Sequence, residues 1–344
     1  MSETDFDFSR IPVIDISDLI AHGAEMSSET VDRIADAARH VGFFSVTGHG
    51  CPAPVSARMI AQAKAFFALP FEEKMRVYIG NSRNHRGYVP IGEEVFAGGT
   101  ADHKEAFDLS IELDETDPDA VAYPLLGPNQ WPDLPGFADD VIAYYEATFT
   151  IGRRLMQAFA AALGLDPAHF DAVITKPPSQ LRLVHYPFNA EARDAIGIGA
   201  HTDYECFTLL LATGPGLEVM NGKGEWIDAP PVPGGITINV GDMLELLSGG
   251  EFVATSHRVR RVAEERFSFP LFFNLDYPTR VAAVKGSKAD GPELVAGEHL
   301  YAQTIKTFRY LRERLERAEI GLPPGALDLS SFGQEARRKD MLDG

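Results

Sequence analysis

The sequence predicts a mainly β protein with flanking helices, a double-stranded β-helix (jelly roll) core buttressed by helical segments. Three observations carry this. Six short β-rich runs crowd residues 181–273 and are separated by Gly and Pro turns, the pattern of an all-β sandwich or barrel. Amphipathic helical spacing precedes them and returns after them. No internal repeat or low-complexity tract is present, which sets solenoids and propellers aside.

Taken in order, residues 11–17 alternate as a short strand. Residues 27–40 put Val31, Ile34, Ala35 and Ala38 on one helical face. Residues 42–47 read as a strand, and residues 54–69 as a second amphipathic helix that Pro70 ends. Residues 80–135, rich in Gly, Pro, Asn and Asp, read as long loops and edge strands, and loops of that length are often functional. A long helix over 137–163 carries Val141, Ile142, Tyr145, Phe149 and Leu155 on an apolar stripe. The β-rich runs are 181–186, 207–211, 217–219, 236–240, 258–262 and 267–273, and helical spacing resumes over 298–317. One structural unit is expected, divided into a helical and loop region (1–175), the jelly-roll core (176–282) and a C-terminal helical segment (283–344).

Composition bounds the function. The 344 residues are 45% hydrophobic and 24% charged, an ordinary globular balance with ample material for a core. A net charge of −19 argues against general binding to nucleic acid or an anionic membrane, which both want clustered Lys and Arg, and otherwise reads as solubility. No apolar run approaches the roughly 18 residues that span a bilayer. The acidic, polar start lacks the look of a signal peptide. Cys51 and Cys206 form no CxxC pair, so free thiols in a reducing, cytoplasmic compartment are expected.

The chemistry concentrates in Gly197-Ile198-Gly199-Ala200-His201-Thr202-Asp203-Tyr204. If this segment is a strand, side chains at i and i+2 share a face, so His201 and Asp203 project together. His257, 54 residues past Asp203 at the head of a later β-rich run, supplies a third ligand. Two histidines and one carboxylate leave open positions on a metal, which suits non-haem Fe(II) oxygenases, although zinc accepts the same ligand types. A lone His-x-Asp is a weak signal. Here it sits between a Gly-rich approach and an apolar strand, and no HExxH, GxSxG or phosphate-loop motif offers a rival chemistry.

Nine residues after His257 comes Arg266-Phe267-Ser268. The same alternation brings the Arg266 guanidinium and the Ser268 hydroxyl together, and a planar Arg fork holds a carboxylate by two charge-assisted hydrogen bonds. Tyr186 could add a phenol donor. The competing reading is an exposed strand Arg paired with Glu264 or Glu265.

These segments, with Thr208-Leu209-Leu210, Gly216-Leu217-Glu218-Val219, Glu225-Trp226-Ile227, Asn239-Val240-Gly241-Asp242 and Ser256-His257-Arg258-Val259, resemble the isopenicillin N synthase-like branch of the 2-oxoglutarate/Fe(II)-dependent oxygenase superfamily. The resemblance extends forward through Arg86-Gly87-Tyr88 and Gly42-Phe43-Phe44, and covers residues 10–280. It implies that His201, Asp203 and His257 are the catalytic iron ligands, and that Arg266 and Ser268, with Tyr186 beside them, hold the distal carboxylate of 2-oxoglutarate. The cofactors implied are Fe(II), 2-oxoglutarate as co-substrate and O2. The implied reaction is hydroxylation of a C–H bond of a small molecule, with release of succinate and CO2. Many plant members carry Asn two residues before that tyrosine, where this chain has Val184. Desaturation, ring closure and 2-oxoglutarate-independent oxidation are alternatives on the same fold. A cupin-like metalloenzyme and a non-catalytic receptor are more distant ones. Substrate contacts are expected from the N-terminal loops (Arg83, Arg86, Tyr88, His103, Lys104, Phe107) and the closing helix. Phe207, Leu209, Leu271 and Phe273 are either a dry wall of the site or plain β-core.

Overall fold

The computed structural model describes residues 7–21, 26–94, 104–187, 196–260, 264–284 and 293–324. Two sheets make the core. The larger has eight strands in the order Val13–Asp15, Phe43–Thr47, Ile236–Val240, Phe207–Ala212, Arg266–Phe273, Gln180–Tyr186, Glu105–Leu109 and Gly87–Val89. The smaller has four, ordered Ile196–His201, His257–Arg260, Leu217–Met220 and Trp226–Asp228. Every pairing in both is antiparallel except the parallel one between Val13–Asp15 and Phe43–Thr47. The two sheets flank one cavity, the jelly-roll arrangement expected.

The pleat of the larger sheet sorts its side chains. Even-numbered residues of the three central strands (Arg182, Val184, Tyr186; Thr208, Leu210; Arg266, Ser268, Pro270, Phe272) face the cavity. Odd-numbered ones (Leu181, Leu183, Phe207, Leu209, Phe269, Leu271, Phe273) pack into one apolar core with the helices. Phe207, Leu209, Leu271 and Phe273 are therefore β-core and not the wall of the site. The helical layer is led by Phe137–Ala162, whose buried stripe includes Val141, Tyr145, Leu155 and Phe159. Gly152 lets this helix lie directly on the sheet, because a Cβ there would overlap the Phe273 ring. Helices Ser28–His40 and Ala53–Phe67 pack against the same long helix.

Local departures from the expected elements have local causes. The helix expected over 298–317 is two, Ala296–Thr307 and Arg309–Glu316, because Phe308 takes extended backbone (φ −95°, ψ 129°) between them. The 80–135 region holds the two strands Gly87–Val89 and Glu105–Leu109, the first at the sheet edge. Trp226–Asp228 and Ile196–His201 are strands that the β-rich runs did not include, since Gly and charged residues dilute their signal.

Candidate metal centre and co-substrate pocket

The sheet register builds the centre. His257 and His201 are direct cross-strand partners in the smaller sheet, which closes the long gap between them in sequence. Strand Ile196–His201 ends at His201, so Asp203 stands in the turn beyond it and not within the strand. That turn is pinned from below. The Asp242 N–H donates to the Asp203 carbonyl at 2.8 Å, and Gly241 packs so close to the backbone of Glu205 that a Cβ would collide with it.

One ligand atom from each of His201, Asp203 and His257 lies within 4.8 Å of the others. Nε2 of His201 and Nε2 of His257 each stand 3.6 Å from Asp203 Oδ1. Outer contacts orient all three. His201 Nδ1 is 2.8 Å from the Gly199 carbonyl and His257 Nδ1 is 3.3 Å from that of Thr255, so Nδ1 carries the proton and Nε2 presents its lone pair inward. Asp203 Oδ2 accepts from Asn239 Nδ2 at 2.7 Å and from the Thr208 hydroxyl, which leaves Oδ1 to the centre. Burial pushes His257 down to about 4, with the neighbouring His201 ring acting in the same direction, so its imidazole is neutral at ordinary pH. Burial opposes ionisation of Asp203 too, but His257, His201 and the two hydrogen bonds outweigh it and hold the carboxyl below its usual value. Neutral imidazoles and an ionised carboxylate are the forms that bind a metal. Three donor atoms on one side with a cavity on the other are a set that would leave open positions on a metal held there.

Arg266 lies across the same cavity and is 1% exposed, which excludes the exposed-arginine reading; Glu265 instead lies 3.0 Å from His185. Its Nη1 donates to Ser268 Oγ at 3.2 Å and its Nε to the Gly214 carbonyl at 3.3 Å, while its guanidinium stacks 4.9 Å over the Tyr186 ring. Cross-strand pairing of Arg266 with Tyr186 and of Ser268 with Val184 sets this cluster. Among the described residues no carboxylate pairs with Arg266. A guanidinium buried without an anion is costly, so the cluster fits an acidic ligand.

The cavity, about 1030 Å³ counted out to its open mouth, also holds a buried ion network. Arg182 grips Asp108 through two 2.7 Å bonds and Glu94 through one of 2.6 Å, and Glu94 reaches Lys104 at 2.9 Å. Burial alone would raise the Glu94 carboxyl, yet the two cations bring it down to about 2. Glu205 also lines the cavity, and burial together with the Asp203 charge pushes it up to about 8. Of the loop residues expected to meet substrate, only Lys104 faces the cavity among those described. Arg86 is sequestered by the carbonyls of Asn84, His85 and Leu125. Tyr88 bonds Glu105, Phe107 packs in the apolar core, and Arg83 lies on a separate surface hollow. His103 lies outside the described residues. The closing helix does contribute, through Leu300, Thr304 and Thr307.

The jelly roll and its facial His-Asp-His set, with a buried arginine opposite, define an iron-dependent oxygenase class. Residues 177–275 match the 2OG-Fe(II) oxygenase superfamily, and residues 11–134 match the N-terminal region described as non-haem dioxygenase in morphine synthesis. A homoarginine-6-hydroxylase of Oryza sativa subsp. japonica is 33% identical over 324 residues, 88% of this chain and 98% of the relative. A 2-oxoglutarate-Fe(II) type oxidoreductase of Emericella nidulans is 32% identical over 76% of this chain and 79% of its own. Among solved structures, a full-length Neurospora crassa protein in complex with alpha-KG superposes with a TM-score of 0.73 at 25% identity, covering 85% of this chain and 95% of that one. The dioxygenase for auxin oxidation of rice superposes with a TM-score of 0.65 at 29% identity, over 90% and 96%. The chain belongs to the 2-oxoglutarate/Fe(II)-dependent oxygenase superfamily, as a dioxygenase that uses Fe(II), 2-oxoglutarate and O2 to hydroxylate a small molecule.

Proposed function

We propose that His201, Asp203 and His257 hold the iron and that Arg266, Ser268 and Tyr186 receive the distal carboxylate of 2-oxoglutarate. The observation that carries this is the meeting of two histidines and one carboxylate within 4.8 Å, opposite a buried arginine with no acidic partner among the described residues. Iron, when bound, supplies the oxidising chemistry that couples decarboxylation of 2-oxoglutarate to C–H hydroxylation. The chain's own residues do the rest. Gly199 and Thr255 carbonyls fix the two imidazoles, and Asn239 and Thr208 fix Asp203. Arg266 and Ser268 orient the co-substrate by a forked, charge-assisted grip, which contributes through proximity. Val184, Leu210 and Phe272 keep the intervening space apolar.

We read the chain as one structural unit of three segments (1–175, 176–282 and 283–344). In support, the larger sheet draws strands from the first two and the cavity takes side chains from all three. The free thiols of Cys51 and Cys206 and the net charge of −19 support a cytoplasmic enzyme with no nucleic-acid or membrane partner. No helix among the described residues is long and apolar enough to cross a membrane.

The test is direct. Anaerobic addition of Fe(II) and then 2-oxoglutarate should give the weak visible band of the chelate. His257→Ala should lose the band and turnover while keeping its far-UV circular dichroism. Arg266→Ala should raise the 2-oxoglutarate requirement steeply, by about 30-fold or more for a lost buried charge pair. Unchanged 2-oxoglutarate kinetics in the Arg266 variant would remove the proposed co-substrate grip.

A further inference from the structure

The cavity's charges can be paired off one by one. Arg182 is committed to Asp108 and Glu94, and Lys104 to Glu94. Asp203 belongs to the histidine pair, and Arg266 answers the co-substrate carboxylate. Glu205 is left over. Its side chain is 6% exposed, lines the cavity two residues beyond Asp203, and among the described residues no side chain ion-pairs with it or donates to it. The charges that act on it through space are those of Asp203, Arg182 and Asp242, and its own backbone amide is the hydrogen-bond donor within reach. A carboxyl held this way loses hydration without gaining a partner, a cost that proteins accept where a ligand completes the pair. Its position is built: the Gly241 N–H donates to the Cys206 carbonyl and the Met243 N–H to the Glu205 carbonyl, so the backbone carrying the carboxyl is anchored.

We propose that Glu205 recognises the substrate, and that the substrate presents a protonated nitrogen group (an ammonium, amidinium or guanidinium) to it. The inference rests on the cavity being the site of 2-oxoglutarate-dependent hydroxylation. Such a group supplies N–H donors and a positive charge in direct contact with the carboxyl, which Arg182, already held by Asp108 and Glu94, does not. A bidentate partner would satisfy both carboxyl oxygens at once. The apolar residues Leu217, Val259 and Leu300 that share the cavity suit an aliphatic stem between that group and the carbon to be oxidised.

The experiment measures binding to the full chain loaded with Mn(II) and 2-oxoglutarate, by calorimetry. The probes are matched pairs: L-homoarginine against L-homocitrulline, L-arginine against L-citrulline, and L-lysine against L-norleucine. At least one cationic probe should bind, and more tightly than its neutral counterpart by about 30-fold, the effect of leaving one partner of a buried charge pair alone. Glu205→Gln, with its melting temperature checked, should erase that preference. The inference is overturned if no cationic probe binds, if neutral probes bind as well, or if Glu205→Gln keeps the preference. The wild-type pairs alone suffice if the variant fails to fold. The visible band of the Fe(II)–2-oxoglutarate chelate, formed anaerobically by the wild-type enzyme without any probe, tests the underlying reading separately. A band with no charge preference among the probes sinks the Glu205 assignment alone, whereas no band sinks both.

Discussion

At the level of single residues, the proposed iron centre depends on groups outside the His201, Asp203 and His257 set. Asp203 is held by two donors on the oxygen that faces away from the histidines, Asn239 at 2.7 Å and the Thr208 hydroxyl. Removing one frees the carboxylate to rotate and leaves a buried oxygen short of a partner. Loss of such an outer contact typically costs 10- to 100-fold in metal affinity. Asn239→Ala should therefore weaken Fe(II) or Co(II) binding by roughly 10-fold or more with the secondary structure unchanged, as followed by metal titration. Equal affinity would mean that Asp203 is positioned by its turn alone. His201, Asp203, His257 and Arg266 stand out in the sequence by residue type and short spacing, although alternation accounts only for Arg266 with Ser268, since Asp203 lies in the turn after its strand. Asn239 and Thr208 stand in the matching motifs without a role, since the role exists only when strands 207–212 and 236–240 lie side by side. Glu205, Arg182 and Glu94 give no signal. An ion pair across 88 residues is set by register, and nothing in the local sequence encodes its partner.

At the level of elements, one junction links a helix end to His257, one of the proposed iron ligands. Helix Ser28–His40 stops where Gly42 turns to φ +70°, its N–H returning to the Ala37 carbonyl at 2.9 Å. The chain then enters strand Phe43–Thr47, and Phe43 meets the His257 ring edge-on at 5.1 Å. A Cβ on Gly42 would collide with the Val253 carbonyl and with the Thr255 hydroxyl, which itself bonds the Val41 carbonyl at 2.8 Å. Gly42→Ala thus combines an unfavourable φ with overlap in a filled interior, each worth about 1 kcal/mol or more. We expect a loss of roughly 2–4 kcal/mol in urea denaturation and a weaker metal site, because the displaced segment carries His257. A stability loss without any change in metal affinity would show that residues 253–257 absorb the strain before it reaches the ligand. Periodicity in the sequence indicates a helix followed by a strand here, with Gly between them. That the turn presses on a segment far along the chain is invisible to it, because the contact exists only in the folded packing.

For the molecule as a whole, the buried ion network ties the first two segments together at the cavity. Glu94, Lys104 and Asp108 come from the N-terminal region and Arg182 from the jelly roll. Neighbouring Glu93 carries the connection to the C-terminal helices, accepting from the backbone N–H of Arg309 at 3.0 Å and, through its carboxylate, from that of Tyr310 at 2.8 Å. Truncating one member of a buried pair leaves the others uncompensated, which typically costs about 3–5 kcal/mol. Glu94→Gln should lower the urea midpoint at pH 7 accordingly. The pH dependence separates charge from shape. Glu94 ionises at about 2 in the folded chain, below its ordinary value of 4.5, so protons bind the unfolded chain more readily. Its contribution is thus complete above about pH 4.5 and disappears as pH falls toward 2. The variant has no proton to take up at this position. The difference in midpoint between wild type and Glu94→Gln should therefore hold from about pH 7 to 5 and shrink progressively through about pH 4 and 3. A difference that stays constant down to about pH 2.5 would assign the effect to lost packing, and the segments would then be joined by shape and not by charge.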